Sequence, residues 1–513
     1  MTLRTSRTRR RALAIPVGMA VVSALAFLPS TASASTADST TVKAAATDGP
    51  SLSYVVNVRK GYGQTHQVER AVKAAGGSIV ETYDKIGVIV VHSSNPDFAK
   101  TIRTVRGVES AGATRTAPLP AQSTTDVGAP QALTAEQLKA ATADAAAGQD
   151  PLEPLQWDLK AISADKAHEK SLGSSKVTVA VIDTGVDDTH PDIAPNFDRA
   201  ASASCVTGKA DTTDGAWRPW ATGGSPHGTH VAGEIAGAKN GVGITGVAPG
   251  VKVAGIKVST QGGSYFYTES VVCGFMWAAD HGVDVTNNSY YTDPWYFNCK
   301  DDPDQKALVT AITRASSYAE SKGTVNVAAA GNENYDFAAD SITDPVSPND
   351  STAVSRTIDP SKCYDIPTQL PGVVTVAATG AKNLKSSFSN YGLGVIDVAA
   401  PGGDSTAYQT PDAPATSGLI LGPVPGGGWA YMAGTSMASP HVAGVAALIK
   451  STHPHASAAL VKALLKVEAD GLACPVPYDI NKDGKVDAVC EGGKFYNGFY
   501  GAGLVNALNA VTK

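Results

Sequence analysis

The stretch "VTVAVIDTG" (residues 177–185) gives the clearest indication of the fold. Six apolar or β-branched residues run without a break up to Asp183, which is typical of a strand buried on both faces. Helices must cover both faces of such a strand, so the stretch favours a parallel sheet in an α/β domain. Asp183 is then expected at the carboxyl edge of the sheet, where α/β proteins gather functional side chains.

Similar short runs recur along the C-terminal two thirds of the chain. They predict four further buried strands, at residues 251–258, 283–286, 325–330 and 373–377. Helical stretches separate several of them, notably residues 268–281 and 305–322. The alternation predicts one α/β domain over residues 155–513, with a parallel sheet flanked by helices.

Residues 51–117 have a different pattern. Strand and helix signals follow in the order βαββαβ, with the second helix expected to start at Asn95-Pro96. This order predicts a small ferredoxin-like α+β domain. Residues 118–154 are rich in Ala, Thr, Gln and Pro and read as a linker, with a short helix at about 135–147.

The N-terminus resembles an export signal. Five arginines precede an apolar stretch at residues 12–28, and Ala32-Ser33-Ala34 forms a small-residue cleavage pattern. A membrane anchor is the alternative, but the stretch is short for a span and is interrupted by Pro16 and Gly18. We therefore expect residues 1–34 to be a signal peptide and the mature protein to be secreted, with no membrane association afterwards.

The net charge and the cysteine content bear on the class of partner and on the disulfides. The net charge of −6 over 513 residues argues against a nucleic-acid partner. Export implies an oxidising compartment, so the six cysteines suggest disulfides, for which fifteen connectivities exist. Proximity favours Cys474–Cys490; Cys299 with Cys363 is plausible from their polar loops, which leaves Cys205 with Cys273 by elimination only.

Ser436 lies near the start of the small-residue segment "GTSMASPHVAG" (residues 434–444). Ser436 at a helix N-terminus is a candidate nucleophile, because the free N–H groups there stabilise developing negative charge. The alternative is a helix-terminal hydroxyl in a closely packed helix. A nucleophilic serine needs a base and an orienting acid, for which His227 and Asp183 are candidates. Each candidate has an alternative when it is taken alone. Asp183 is then interpreted as a turn residue, and His227 and His230 as a pair of metal ligands, for which the sequence offers no obvious third ligand.

Three motifs taken together favour the catalytic interpretation over these alternatives. "DTG", "HGTHVAG" and "GTSMASPHVAG" stand in this order and resemble those of the subtilisin-like serine peptidases, the subtilases. The resemblance covers residues from about 155 to the C-terminus. It implies that Asp183, His227 and Ser436 form a catalytic triad. It also implies that Asn332, in "VNVAAAGNENY" (residues 325–335), provides a side-chain amide to an oxyanion hole.

The same resemblance implies a cleft in which a polypeptide substrate pairs as an added strand. The matching positions are Gly262, Gly263, Ser264, Ser289, Tyr290, Tyr291, Ala328, Ala329 and Ala330. This chain has Ser-Tyr-Tyr where the family commonly has Ser-Leu-Gly. The tyrosines either narrow or reshape the pocket for the residue before the cut, or pack against the loop at residues 293–304. No side-chain preference follows from the sequence.

Residues 51–117 resemble the inhibitor-type propeptide of subtilases, which assists folding and then blocks the cleft. The sequence thus predicts a secreted serine endopeptidase, monomeric and made as a self-processed precursor whose mature N-terminus lies within 118–154. Two alternatives are a specialised processing peptidase with one partner and a catalytically silent exported binding protein on the same fold.

Structural calcium is expected at two places. Resemblance to the family's site near the histidine helix points to Asp192, Ala238, Asn240, Val242 and Ile244, without the family's N-terminal glutamine ligand. The second place is "YDINKDGKVDAVC" (residues 478–490), inside an inserted loop at 471–493. It has the start of an EF-hand-like pattern in Asp479, Asn481, Asp483 and Asp487, but Cys490 stands where the closing glutamate is expected. A metal-free polar turn is the alternative at both places.

Overall fold

The computed structural model describes residues 49–59, 61, 63–116, 127–144, 148–262, 264–405 and 409–513. The predicted signal peptide lies outside these residues. Residues 49–116 form an N-terminal subdomain with one antiparallel sheet in the order β2-β3-β1-β4. Its elements are β1 (Leu52–Val58), α1 (Gln64–Ala74), β2 (Gly77–Tyr83), β3 (Val88–Ser93), α2 (Phe98–Arg103) and β4 (Val108–Ala113).

Successive side chains of β1 point to opposite faces of the sheet, which explains why the two helices cover one face. Tyr54, Val56 and Val58 are buried in a cluster with side chains of α1 and α2, so both helices cover one face of the sheet. The predicted ferredoxin-like fold is confirmed. The second helix begins later than predicted, at Phe98, because Asn95 Oδ1 accepts a hydrogen bond from the Asp97 N–H (2.9 Å) and caps a preceding turn instead.

The remaining residues contain the large sheet and its helices. The strands are β5 (Gln131–Ala132), β6 (Thr178–Asp183), β7 (Ala203–Ser204), β8 (Lys252–Lys257), β9 (Val285–Asn288), β10 (Asn298–Cys299), β11 (Val325–Ala329), β12 (Ile342–Asp344), β13 (Arg356–Ile358), β14 (Cys363–Tyr364), β15 (Val374–Thr379), β16 (Val398–Pro401), β17 (Ile420–Val424), β18 (Gly428–Met432), β19 (Gly492–Gly493) and β20 (Tyr496–Asn497). The helices are α3 (Ala135–Asp144), α4 (Trp157–Ala161), α5 (Ala164–His168), α6 (His227–Ala236), α7 (Thr268–Asp280), α8 (Pro303–Ser321), α9 (Thr435–Thr452), α10 (Ala458–Val467) and α11 (Ala507–Thr512), with short 3-10 turns at Glu153–Leu155, Ala194–Asn196 and Arg199–Ala201.

Seven parallel strands form the central sheet, in the order β16-β15-β11-β9-β6-β8-β7. On β6, Val179 and Val181 pack in a cluster with α6 and α9. Ala180 and Ile182 pack in a second cluster with α7 and α8 on the other face. The sheet is therefore covered on both faces, and the α/β domain predicted from residues 177–185 is confirmed.

The N-terminal subdomain rests on helices α7 and α8 of this domain. Val55 and Val88, on the sheet face opposite α1 and α2, are buried in the same cluster as these two helices. Asn57 Nδ2 donates to the carbonyl of Ala307 (2.9 Å), and the Arg314 guanidinium donates to the carbonyl of Val58 (2.9 Å). The contact thus combines apolar burial with satisfied polar groups.

Part of the predicted linker is ordered. Strand β5 pairs with β18, placing Gln131 opposite Tyr431, and α3 confirms the short helix expected at 135–147. Residues 117–126 and 145–147 lie outside the described residues.

Three disulfides join Cys205 to Cys273, Cys299 to Cys363 and Cys474 to Cys490. The last confirms the pairing favoured from sequence, and the first two are pairings that the sequence left open. In the described part of the chain, no helix has the length and apolarity that a membrane span requires.

Candidate active site

Asp183 and His227 meet at the carboxyl edge of the sheet. Asp183 is the last residue of β6, and His227 is the first residue of α6, which packs against β6. His227 Nδ1 donates a hydrogen bond to Asp183 Oδ1 (2.8 Å), and both side chains are fully buried. Thr184 Oγ1 accepts from the Gly228 N–H (2.9 Å), which ties the strand end to the helix start. The carboxylate therefore fixes the orientation of the imidazole.

Asn332 and Ser436 are held close together by Thr435, the first residue of α9. Asn332 follows β11, and Ser436 is the second residue of α9. Asn332 Oδ1 accepts hydrogen bonds from the Thr435 N–H (2.8 Å) and Thr435 Oγ1 (2.9 Å). Because both bonds go to Oδ1, Asn332 Nδ2 lies on the side of the amide group that faces away from Thr435.

A glycine keeps open the space that Asn332 Nδ2 faces. A Cβ added at Gly434 would lie 3.5 Å from Asn332 Nδ2 and 3.5 Å from the backbone nitrogen of Ser436. Two nitrogen atoms that carry N–H groups, Asn332 Nδ2 and the backbone nitrogen of Ser436, therefore border one small space beside the serine.

A second glycine shapes the turn that carries Asn332. Gly331 has φ 96°, and an added Cβ would lie 2.1 Å from Tyr296 Oη and 2.4 Å from Asn390 Nδ2. No other residue fits this position without moving both side chains.

A narrow pocket opens beside Ser436. Its lining residues are Ser289, Tyr290, Tyr291, Ala329, Gly331, Asn332, Glu333, Asp365 and Thr435. Tyr290 stacks on Phe266 with 4.5 Å between ring centroids, and Tyr291 packs against Tyr296 of the 293–304 loop at the same distance. The tyrosines thus line this pocket, and Tyr291 also packs against the 293–304 loop.

The other residues expected in the cleft are placed differently from one another. Ala329 lines the pocket, whereas Ala328 and Ala330 are fully buried, each in a different hydrophobic cluster. Gly262 is exposed and Ser264 is buried. Gly263 lies outside the described residues.

Comparison with known proteins identifies the family. The sequence model described as "Subtilase family" matches residues 174–503. The chain belongs to the subtilase family. It is 32% identical over 359 residues to M-protease of Shouchella clausii (strain KSM-K16), covering 70% of each chain. It is 31% identical over 359 residues to Subtilisin Savinase of Lederbergia lenta, covering 70% of this chain and 99% of that one.

Solved structures agree with the fold. The epidermin leader peptide processing serine protease of Staphylococcus aureus superposes with a TM-score of 0.63 at 22% identity, covering 90% of this chain and 98% of that one. Fervidolysin from Fervidobacterium pennivorans superposes with a TM-score of 0.60 at 24% identity, covering 91% of this chain and 61% of that one. The chain has the subtilisin-like fold and, as a subtilase related to the subtilisins, is a serine endopeptidase.

Sequence reasoning missed two acids in this subtilase's pocket. Glu333 directly follows Asn332, and burial raises the pKa of its carboxyl group. Asp365 lies 33 residues beyond Asn332 in the long loop at 333–366, and burial, together with the charge of Glu333, raises its pKa well above the usual range. Glu333 directly follows Asn332 in the sequence, and this position could have identified it as a pocket residue. No local sequence pattern identifies Asp365.

At the first expected calcium site of the subtilase, Asp192 is fully buried. Its Oδ2 accepts from the Ile244 N–H (3.1 Å) and from Trp429 Nε1 (2.7 Å), while Oδ1 is buried without a hydrogen-bond partner among the described residues. Burial raises the pKa of Asp192 to about 7. Asn240 turns its Oδ1 toward the Val242 N–H (2.9 Å), inside the same loop as Ala238. Oδ1, which has no hydrogen-bond partner among the described residues, fits a cation, although Trp429 Nε1 already donates to the other carboxylate oxygen.

The second expected calcium site is an exposed, curled loop. Asp479 accepts from the N–H groups of Asp483 (3.1 Å) and Gly484 (2.8 Å), and Asn481 Oδ1 also accepts from the Asp483 N–H (3.0 Å). Asp487 Oδ2 accepts from the Ile480 N–H (2.8 Å). Oxygen ligands are thus gathered within one turn, the chemistry that calcium prefers, while the disulfide at Cys490 removes that residue as a ligand.

Proposed function

We propose that this endopeptidase cleaves peptide bonds through a triad of Asp183, His227 and Ser436. The observation that carries the proposal is the buried 2.8 Å hydrogen bond between His227 Nδ1 and Asp183 Oδ1. Because Nδ1 is engaged by the carboxylate, proton transfer in this proposal takes place at Nε2. Ser436 Oγ attacks the substrate carbonyl, and His227 takes its proton and later donates it to the leaving amine. The resulting acyl-enzyme is then hydrolysed by water.

The negative charge of the tetrahedral intermediate has two donors in this proposal. Asn332 Nδ2 and the Ser436 N–H border the space next to Gly434. Because the Asn332 amide is fixed by Thr435, the donor needs no reorganisation when the charge develops.

The experiment that tests this function compares hydrolysis of a denatured protein by wild type and by Ser436→Ala. The matched control is Ser405→Ala, an exposed serine outside the triad. Wild type and the control should hydrolyse the substrate, and Ser436→Ala should not. Equal hydrolysis by all three proteins would contradict the proposal.

We further propose that the enzyme is secreted as a precursor whose N-terminal subdomain is an inhibitory propeptide. Contacts to the catalytic domain support this role. Arg103 forms an ion pair with Asp304 at the start of α8, and Arg115 pairs with the buried Glu269 of α7 (2.6 Å). Residues 1–34 are the proposed signal peptide, and release of the propeptide is proposed as the enzyme's own cut.

Calcium is proposed as a structural ligand of the mature enzyme. Asp192 with its loop and the Asp479–Asp487 loop are the residues that would hold it. The ion would neutralise clustered carboxylates and take no part in the chemical steps. Denatured polypeptides are the proposed substrates, acted on by a monomer.

A further inference from the structure

The turn that carries Asn332 is bound to a second stretch of the chain, residues 385–391, which we call the supporting segment. The Asn334 N–H donates to the Phe388 carbonyl (2.7 Å). Asn390 Oδ1 accepts hydrogen bonds from the N–H groups of the residues on both sides of Asn334 (3.1 and 2.8 Å). The supporting segment therefore places the backbone on the C-terminal side of Asn332.

A buried lysine begins the supporting segment. Lys385 is fully buried, and its ammonium group donates to the carbonyls of Ser386 (3.1 Å) and Ser389 (2.8 Å). A further hydrogen bond goes to Asn334 Oδ1 (2.7 Å). These three bonds use the three donors that an ammonium group has. One cation thus folds the supporting segment on itself and binds it to the turn.

Three aromatic rings also contact the Lys385 ammonium group. The ring centroids of Tyr391, Tyr478 and Phe499 lie 5.1, 5.3 and 5.5 Å from Nζ. The negative face of an aromatic ring attracts a cation within about 6 Å of its centroid. Tyr478 belongs to the inserted loop at residues 471–493, so the cation also connects this loop to the supporting segment.

The inserted loop makes two further hydrogen bonds in the same place. Tyr478 Oη donates to the Lys385 carbonyl (2.8 Å). Asn334 Nδ2 donates to the Asp487 carbonyl (3.2 Å), while Asn334 Oδ1 binds the lysine. The Asn334 amide therefore joins the turn to the supporting segment with one atom and to the inserted loop with the other.

Apolar packing supports the same connection. Ile480 and Ala488 of the inserted loop are buried in one hydrophobic cluster with Ala330, which lies two residues before Asn332. Asn334 lies two residues after it. The inserted loop thus contacts the chain on both sides of Asn332.

We propose that Lys385 and Asn334 are positioning residues that couple the inserted loop to the proposed oxyanion hole. The hydrogen bonds from Thr435 orient the Asn332 amide, but the place of its donor also depends on the backbone of the turn. A displacement of about 1 Å in an active site can lower the rate on the order of 100-fold. Both roles rest on the proposed function of Asn332 as an oxyanion donor.

Asn334→Gly tests the connection from the side of the turn. Asn334 has φ 56°, which glycine adopts readily, so the substitution removes the amide without straining the backbone. We expect kcat for a fluorogenic peptide amide to fall by about tenfold or more, with little change in KM, because the oxyanion exists only during reaction. Asn383→Gly is the matched control: Asn383 is exposed with φ 57°, and its loss should leave kcat unchanged.

The same substitution in an Asn332→Ala background separates positioning from a general loss of stability. If Asn334 acts through Asn332, Asn334→Gly should change kcat by less than about twofold once the Asn332 amide is absent. Equal losses in the two backgrounds would overturn the proposal, since Asn334 would then act on another part of the site. An unchanged kcat in Asn334→Gly alone would overturn it as well.

Two further variants test the lysine and the inserted loop. Lys385→Met keeps an unbranched side chain among the rings and removes three hydrogen bonds, so kcat should fall at least as far as in Asn334→Gly. Tyr478→Phe removes only the hydroxyl that binds the Lys385 carbonyl. Its expected loss in kcat is about two- to tenfold, the worth of one neutral hydrogen bond. If Lys385→Met does not fold, Tyr478→Phe and Asn334→Gly carry the test, and an unchanged kcat in Tyr478→Phe overturns the role of the inserted loop.

Asn332→Ala alone distinguishes failure of this proposal from failure of the proposed function. Full kcat in Asn332→Ala contradicts the oxyanion donor itself. A strong loss in Asn332→Ala, together with an unchanged kcat in Asn334→Gly, contradicts only the positioning role of Asn334 and Lys385.

Discussion

The backbone N–H of Thr435 donates a 2.8 Å hydrogen bond to Asn332 Oδ1. Together with the bond from Thr435 Oγ1 (2.9 Å), this contact links the turn after β11 to the first residue of α9, immediately before Ser436. It fixes which way the Asn332 amide points, and therefore directs Nδ2 toward the space next to the serine. The proposed oxyanion hole is built before substrate arrives.

Replacing Asn332 by alanine tests the value of that donor. We expect kcat to fall by about 100- to 1,000-fold, the loss measured for such a donor in a subtilisin, because the charge it stabilises exists only during reaction. KM should change little, since the ground-state carbonyl gains less from the amide. Steady-state kinetics on one peptide will show whether kcat or KM carries the loss; a change confined to KM would argue against the role.

Gly434→Ala tests the same space from the other side. The added Cβ lies at ordinary contact distance, 3.5 Å, from both proposed donors, so it fills the place of the oxyanion without overlapping either nitrogen. Gly434 has φ 155°, which alanine rarely adopts, so we expect a lower Tm as well as a kcat at least about 100-fold lower. Thermal melting checks the fold and peptide hydrolysis checks the rate. Full activity in the variant would mean that the oxyanion forms elsewhere.

Much of this architecture could be predicted because its signals are local. The buried run ending at Asp183 predicted both the strand and the edge at which His227 meets it. The acidic pocket could not be predicted, since Asp365 reaches it through a disulfide and strand pairing of two irregular loops. The start of α2 was predicted too early, because the turn that the Asp97 N–H closes on Asn95 Oδ1 precedes the helix and is not part of it.

Self-processing predicts the fate of an inactive precursor. Ser436→Ala, expressed in a host without other extracellular proteases, should accumulate with residues 51–117 still covalently attached. Wild type should release them, because the proposed cut uses the same serine. Intact-mass measurement of both secreted proteins distinguishes the outcomes. A Ser436→Ala protein that matures like wild type would show that another protease makes the cut.

Calcium at the Asp479–Asp487 loop predicts a metal-dependent melting temperature. A ligand that binds only the folded protein stabilises it by mass action, so chelation should lower the Tm of the wild type. Asp479→Ala combined with Asp483→Ala should shrink that shift, because two carboxylate ligands are lost. Melting curves with and without chelator check both proteins. If the double variant responds to chelation as strongly as wild type, this loop is not a calcium site.

The most direct test of the proposed triad is covalent labelling of the mature enzyme with a fluorophosphonate, followed by peptide mass mapping. We expect one modified residue, Ser436. Labelling should be strongly slowed in Asp183→Asn, because the asparagine amide does not hold the imidazole in the tautomer that the 2.8 Å contact favours. Ser405→Ala should label like wild type. Mature wild-type protein that remains unlabelled, or that is labelled at a residue other than Ser436, would contradict the proposed role of Ser436 as the nucleophile.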